Sequence, residues 1–355
     1  MEPLLQPAQI AGLELQNRLV MAPMTRQHSP GGVPGPAVAQ YYARRADTLG
    51  MIITEGVYVD EPSAGTSSAV PRLDSPAALD GWRQVVAQTH AQGAVIFPQL
   101  WHLGALRQKG APPFSEAPVL SPSGINAAGE AVGEPASRRQ IDAIIEAFAV
   151  GAQTAQAVGF DGVEIHGAHG YLVDQFLWPQ TNRRSDGYGL QFAVDIVAAI
   201  RDRVGADYPI QFRFSQWKGG HYRARLASDP AQLAAILEPL ADAGVDIFHP
   251  STRRIWVPEF PGSDLTLAGW TRRITGKPTI AVGHVGVDTA FRAGSDEPTH
   301  VLDWGRINDL FEAGQFDLLA IGRALLADPR YVAKTLGSEP GRPQPYTKDS
   351  EAEYF

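Results

Sequence analysis

Eight short apolar runs recur along this chain, and a stretch of helical spacing follows each one. The runs occupy residues 18–22, 51–54, 94–100, the first half of 162–172, 209–214, 245–249, 278–282 and 316–321. Helical patterns fill residues 37–49, 75–92, 138–158, 192–204, 229–243, 267–274 and 304–313, and a last helical piece begins after Gly322. Strict strand-then-helix alternation implies a parallel sheet with its helices outside. Eight units favour closure into an α/β (β/α)8 TIM barrel over an open doubly wound sheet, and no G-x-G-x-x-G follows the first run. The 355 residues exceed the roughly 250 of a bare barrel. Residues 4–15, broken by Gly12, read as a short N-terminal hairpin cap. Residues 104–137, rich in Pro, Gly, Ala and Ser, read as a long third βα loop of the functional kind. The expectation is one barrel domain over residues 1–355.

Composition narrows the chemistry. The chain is 44% hydrophobic and 19% charged, enough to bury a full core, and its net charge is −8 with both signs interspersed. That pattern gives no electrostatic footprint for nucleic acid or a membrane surface. The sequence holds no cysteine, which removes disulfides, thiolate nucleophiles and cysteine-ligated iron–sulfur clusters. No basic flank with an apolar run opens the chain, and no window approaches the roughly 20 apolar residues of a membrane span. The expected setting is soluble and cytoplasmic. The sequence leaves homo-oligomerisation open.

Barrel chemistry gathers at the C-terminal strand ends, and polar or glycine residues stand at those positions here. Residues 162–172 are the densest case. Val163 and Ile165 suit a buried strand, whereas Gly167 and Gly170 argue for a loop, so His166, His169 and Tyr171 are expected where the strand has ended. Two histidines spaced this way can simply tie down a loop. They can also form half of a zinc site, but no third ligand is spaced nearby, so no metal is expected. Gly283 and Gly322-Arg323, ending the last two strands, suit a phosphate: glycine lets backbone N–H groups approach, and Arg323 can bind an anion bidentately. Gln99 and Arg213 lie at the ends of strands three and five. A buried arginine needs acceptors; a flavin's pyrimidine edge supplies them, and so would a salt bridge to Glu164 or another barrel carboxylate.

These residues fall in a pattern that resembles the Old Yellow Enzyme family of flavin-dependent ene-reductases, across nearly the whole chain. The matching pieces are Asn17-Arg18-Leu19-Val20-Met21-Ala22-Pro23-Met24-Thr25-Arg26, Pro98-Gln99-Leu100-Trp101 and Glu164-Ile165-His166-Gly167-Ala168-His169-Gly170-Tyr171-Leu172. Others are Phe176-Leu177, Asn182-Arg183-Arg184, Asp186-Gly187-Tyr188-Gly189, Phe212-Arg213, Val282-Gly283 and the run from Ile321-Gly322-Arg323 to Pro329. Each is weak alone; the ordered set is specific. One departure stands out: after Tyr188-Gly189 the family usually has a second glycine and a segment ending in Asn-Arg, whereas Gly189 here runs directly into Leu190.

The resemblance implies a barrel that binds FMN non-covalently and reduces activated C=C bonds with NADH or NADPH. By position it implies flavin contacts at Pro23, Met24, Thr25, Gly56, Gln99 and Arg213, with the phosphate at Gly283, Gly322 and Arg323. It gives Trp101 to the substrate site and His166 and His169 to the substrate carbonyl or a phenol. Tyr171 matches the proton donor, since a phenol with an ordinary pKa of about 10 stays protonated at neutral pH. Thr25, where some members have cysteine, together with Arg26 and Trp101, looks more like the yeast and plant branch. The implied partners are a small-molecule enone or quinone. Two alternatives remain: an NAD(P)H oxidase or quinone reductase on the same fold, and a colourless phosphate-binding barrel lyase. The lyase would want a Schiff-base lysine or metal carboxylates at the strand ends, and the sequence suggests neither.

Overall fold

The computed structural model describes residues 2–287 and 304–354. An antiparallel hairpin, β1 (Ala8–Ile10) and β2 (Leu13–Leu15), precedes the barrel. The barrel strands are β3 (Leu19–Met21), β4 (Met51–Tyr58), β5 (Val95–Trp101), β6 (Val163–His169), β7 (Ile210–Lys218), β8 (Ile247–Ser251), β9 (Ile280–Val282) and β10 (Leu318–Ile321). They pair in chain order, all parallel, and β10 closes on β3. The helices are α1 (Pro36–Ala46), α2 (Pro76–His90), α3 (Arg138–Val158), α4 (Leu172–Leu177), α5 (Leu190–Val204), α6 (Pro230–Ala243), α7 (Leu267–Thr275), α8 (Trp304–Glu312), α9 (Arg323–Ala327) and α10 (Tyr331–Leu336). This is the expected (β/α)8 barrel with its hairpin. Among the described residues no helix is long and apolar enough to cross a membrane.

Helix boundaries follow their capping residues. The Ser75 and Asp229 side chains accept N–H bonds at the starts of α2 and α6, and Ser137 with Gln140 closes a capping box on α3. Gly189 precedes α5 without a side-chain cap. The long third loop is confirmed: between Leu106 and α3 it holds only isolated bridges such as Ser121 with Pro135.

The strands are buried on both faces, yet a two-residue period sorts them. Val20, Met51, Ile53, Phe97, Ile247, Ile280, Leu318 and Ala320 form the barrel interior, and hairpin residues Ala8, Ile10 and Leu15 join the same cluster from below. Their neighbours Leu19, Met21, Ile52, Ile96, Phe248, Leu319 and Ile321 face the helices instead. On β6 and β7 the helix-facing positions are Val163, Ile165, Ile210 and Phe212. The same period therefore turns Glu164, His166, Gln211 and Arg213 inward. Above its apolar floor the barrel is filled with polar side chains, and this layer carries the site.

Two strands run further than their apolar runs. β6 continues through Gly167 to His169, contrary to the expectation that the glycines end it. Gly167 is required for packing rather than for a turn. A Cβ there would lie 2.5 Å from Phe212 Cζ and 2.9 Å from the Arg213 carbonyl oxygen. A register shift between Gly167 and His169 then re-aims the strand end. β7 likewise extends to Lys218, because Phe214 and Ser215 keep pairing with β8.

Candidate active site

A cavity of about 860 Å³ opens at the C-terminal end of the barrel. Of the residues expected there, Pro23, Met24, Thr25, Gln99 and Trp101 line one side. His166, His169, Tyr171, Arg213, Gly283, Gly322 and Arg323 line the rest. Gly56 does not line it. A Cβ on Gly56 would sit 2.3 Å from the Trp101 ring, so this glycine seats Trp101 from behind.

Glu164 lies beneath the cavity, fully buried. Its Oε1 accepts from Gln99 Nε2 at 2.6 Å, and its Oε2 accepts from Gln211 Nε2 and from His249 Nδ1, the latter at 2.6 Å. Burial alone would push the Glu164 carboxyl up; His249, Arg213 and Gln99 outweigh it and hold it below the usual range. Arg213 makes no ion pair with Glu164. Arg213 is 6% exposed as a residue, and its Nε is buried without a partner. A buried cation held this way has unmet donors facing the cavity.

The histidines stand at right angles, ring centroids 5.2 Å apart, and the Tyr171 ring is 4.7 Å from His166. Trp101 meets Tyr171 edge-on at 4.9 Å. Both imidazoles are neutral: burial, then Arg213, pushes His166 down to about 3 and His169 well below its ordinary value. His166 Nδ1 accepts from the Ala168 N–H at 3.4 Å, which places the ring proton on Nε2. His169 Nε2 pairs with Ser251 Oγ at 2.8 Å. His169 is held at φ 65, the left-handed region that glycine favours.

At the opposite end, Gly283 has φ 148, and a Cβ there would fall 2.4 Å from the Thr252 carbonyl oxygen. The corner is electropositive. His284 is pushed down to about 4 by burial, then by Arg323, Arg254 and Arg253. Together the orphaned Arg213 Nε, the glycine cradle at Gly283 and this cationic corner fit a ligand with an acceptor-rich head and an anionic tail. FMN has that form.

Several residues of the site were not legible as such in the sequence. Glu55 accepts the backbone N–H groups of Arg26 and Gln27 at 2.8 and 2.9 Å, fixing the turn that carries Thr25. Trp217 stacks on His169 at 4.5 Å and Tyr222 continues that wall. Near the chain end, Tyr346 lies under the Arg323 guanidinium and Tyr354 stacks on Tyr41. The sequence suggests no Schiff-base lysine at a strand end, yet one lysine does stand at such an end. Lys218 ends β7, but it is bonded to Asp174 and the Ser215 carbonyl and does not line the cavity. Among the described residues no cluster of His, Asp and Glu is arranged to hold a metal.

Comparison with known proteins agrees with this fold. Residues 3–339 match the model of the NADH:flavin oxidoreductase / NADH oxidase family. The chain is 30% identical to 12-oxophytodienoate reductase 2 of Arabidopsis thaliana over 345 residues, 92% of this chain and 86% of that protein. It is 36% identical to putative 12-oxophytodienoate reductase 11 of Oryza sativa subsp. japonica over 58% of this chain, and spans 60% of that relative's length. The structure of morphinone reductase in complex with tetrahydroNAD superposes with a TM-score of 0.80 at 25% identity, covering 99% of this chain and 97% of that one. A cavity at the mouth of a closed barrel, and a match over nearly the whole sequence, lead to one assignment: the chain belongs to the NADH:flavin oxidoreductase / NADH oxidase family.

Proposed function

We propose that this protein is an FMN-dependent ene-reductase that uses NADH or NADPH to reduce the C=C bond of an α,β-unsaturated carbonyl compound. The observation that carries the reading is the convergence of His166, His169 and Tyr171 on a cavity whose other walls suit a flavin. When bound, FMN would supply the hydride-transfer chemistry between the nicotinamide and the substrate Cβ.

Arg213 and Gln99 would hold the ring head of FMN, Thr25 its edge, and Arg323 with the Gly283 backbone its phosphate. Pro23, Met24 and Gly322 complete the enclosure. His166 donates from Nε2 to the substrate carbonyl oxygen, and His169, steadied by Ser251, shares that oxygen. Because both rings are neutral, they polarise the carbonyl without surrendering a proton, and they stabilise the negative charge that develops on oxygen. Donors of this kind are worth roughly 2.7–4 kcal/mol each when removed. Tyr171 gives its hydroxyl proton to Cα. Trp101, packed edge-on against Tyr171, keeps that ring in place.

Purified protein should be yellow with one FMN per chain, and 2-cyclohexenone should reoxidise it after anaerobic reduction by NAD(P)H. A colourless protein that FMN cannot reconstitute would return the colourless lyase reading. Flavin turnover with dioxygen or quinones but no enone would favour the oxidase or quinone-reductase reading.

A further inference from the structure

Lys218 and Asp174 form an ion pair whose side chains are 1% and 0% exposed. No step of the proposed chemistry uses it, and neither residue lines the cavity. Apolar residues of similar volume would fill the space at lower desolvation cost, so the pair's placement has to explain it. Asp174 sits in the first turn of α4, and its Oδ2 accepts the Gly170 N–H at 2.7 Å. Its Oδ1 accepts from Lys218 Nζ, which also donates to the Ser215 carbonyl at 3.0 Å. Ser215 Oγ accepts the His169 N–H at 3.0 Å, and the Gly219 N–H donates to the His169 carbonyl at 3.0 Å.

His169 and Gly170 are consecutive left-handed residues, φ 65 and 86, a conformation the surroundings must enforce. Crowding at the Gly170 Cβ position does not enforce it: a Cβ built there meets nothing nearer than 3.8 Å. The hydrogen bonds made with Ser215, Gly219 and Asp174 do, helped by the Gln175 Nε2 that donates to the Gly170 carbonyl at 2.7 Å. Lys218 ties the β7 end, which supplies two of them, to the α4 carboxylate that supplies the third. We propose that Lys218 and Asp174 are positioning residues that fix His169 and Tyr171 over the cavity. This inference rests on the ene-reductase reading.

The test is the uncharged double variant Lys218→Met/Asp174→Leu, which leaves no lone buried charge but leaves the Gly170 N–H without its acceptor. It is compared with wild type, both loaded with FMN. Three readings are taken: the affinity for p-hydroxybenzaldehyde from its long-wavelength charge-transfer band, and reoxidation of the reduced protein by 2-cyclohexenone and by dioxygen. The expected result is weaker phenol binding and slower enone reoxidation, each by about 10- to 100-fold, the scale for a misplaced catalytic group, with dioxygen reoxidation unchanged. Wild-type phenol affinity and enone rate in the variant would overturn the proposal. So would equal slowing with both acceptors, which would make the pair a support of the flavin pocket. Should the double variant not take up FMN, Lys218→Met/Asp174→Asn gives the same comparison with no lone buried charge and an acceptor for Gly170 retained, and a wild-type phenol affinity there overturns the proposal. Wild-type protein lacking both the band and enone turnover would instead refute the ene-reductase reading itself.

Discussion

Gln99 Nε2 donates to Glu164 Oε1 at 2.6 Å. A carboxylate only accepts, so this bond fixes which way the Gln99 amide faces and leaves its carbonyl oxygen as the acceptor available to the cavity. Glu164→Gln removes that constraint, because a second amide can present either end. FMN affinity should fall by at least about tenfold, equivalent to roughly 1.4 kcal/mol, in fluorescence titrations of the deflavinated protein. Glu164→Leu strands Gln99, Gln211 and His249 together and should cost about 3–5 kcal/mol of stability in denaturant unfolding. Unchanged FMN affinity in Glu164→Gln would remove Glu164 from cofactor binding.

Gly56 and Trp101 make a second coupled pair. Gly56→Ala places a methyl within 2.3 Å of the indole; overpacking of this kind typically costs about 1–3 kcal/mol. Trp101 should shift against Tyr171, so enone turnover should fall while FMN content stays near one per chain. Loss of FMN with unchanged enone kinetics in the loaded fraction would instead mark Gly56 as a direct cofactor contact.

The neutral histidines carry a pH signature. His166 has a folded pKa of about 3 and an ordinary value of 6.5, so it stays uncharged through the working range. Enone reoxidation should show no histidine ionisation between about pH 5 and 8. The stability consequence has a definite sign. Below 6.5 the unfolded chain binds protons that the buried imidazoles refuse, so stability falls as pH drops toward 3. Each such histidine contributes a slope of up to roughly 1.4 kcal/mol per pH unit. A plateau in melting temperature from pH 6.5 to 4 for wild type, matched by His166→Ala, would contradict the assignment.

The barrel was legible because strand and helix periods alternate, and each apolar run is long enough to show. The inward set at Gln99, His166 and Arg213 was legible as strand-end polarity. What the sequence hid is side-chain commitment across strands. Whether Arg213 bonds Glu164 depends on the three competing donors at Gln99, Gln211 and His249, which stand 47 to 85 residues away from that carboxylate. Gly167 misled for a related reason. A glycine that makes room for Phe212 is indistinguishable, in one dimension, from one that turns the chain. Lys218 and Asp174 lie 44 residues apart, and neither has a local neighbour that announces the pair.

The most direct measurement is stopped-flow kinetics of Tyr171→Phe, which keeps the ring packed against Trp101 and His166 and removes only the hydroxyl. Reduction of the bound FMN by NAD(P)H and reoxidation by dioxygen need no proton delivered to carbon, so both should run at wild-type rates. Reoxidation by 2-cyclohexenone should slow by about 10²–10⁴-fold, the span for a lost general acid. Equal slowing of all three steps would make Tyr171 a wall of the flavin pocket, and unchanged enone reoxidation would take the proton-donor role away from it.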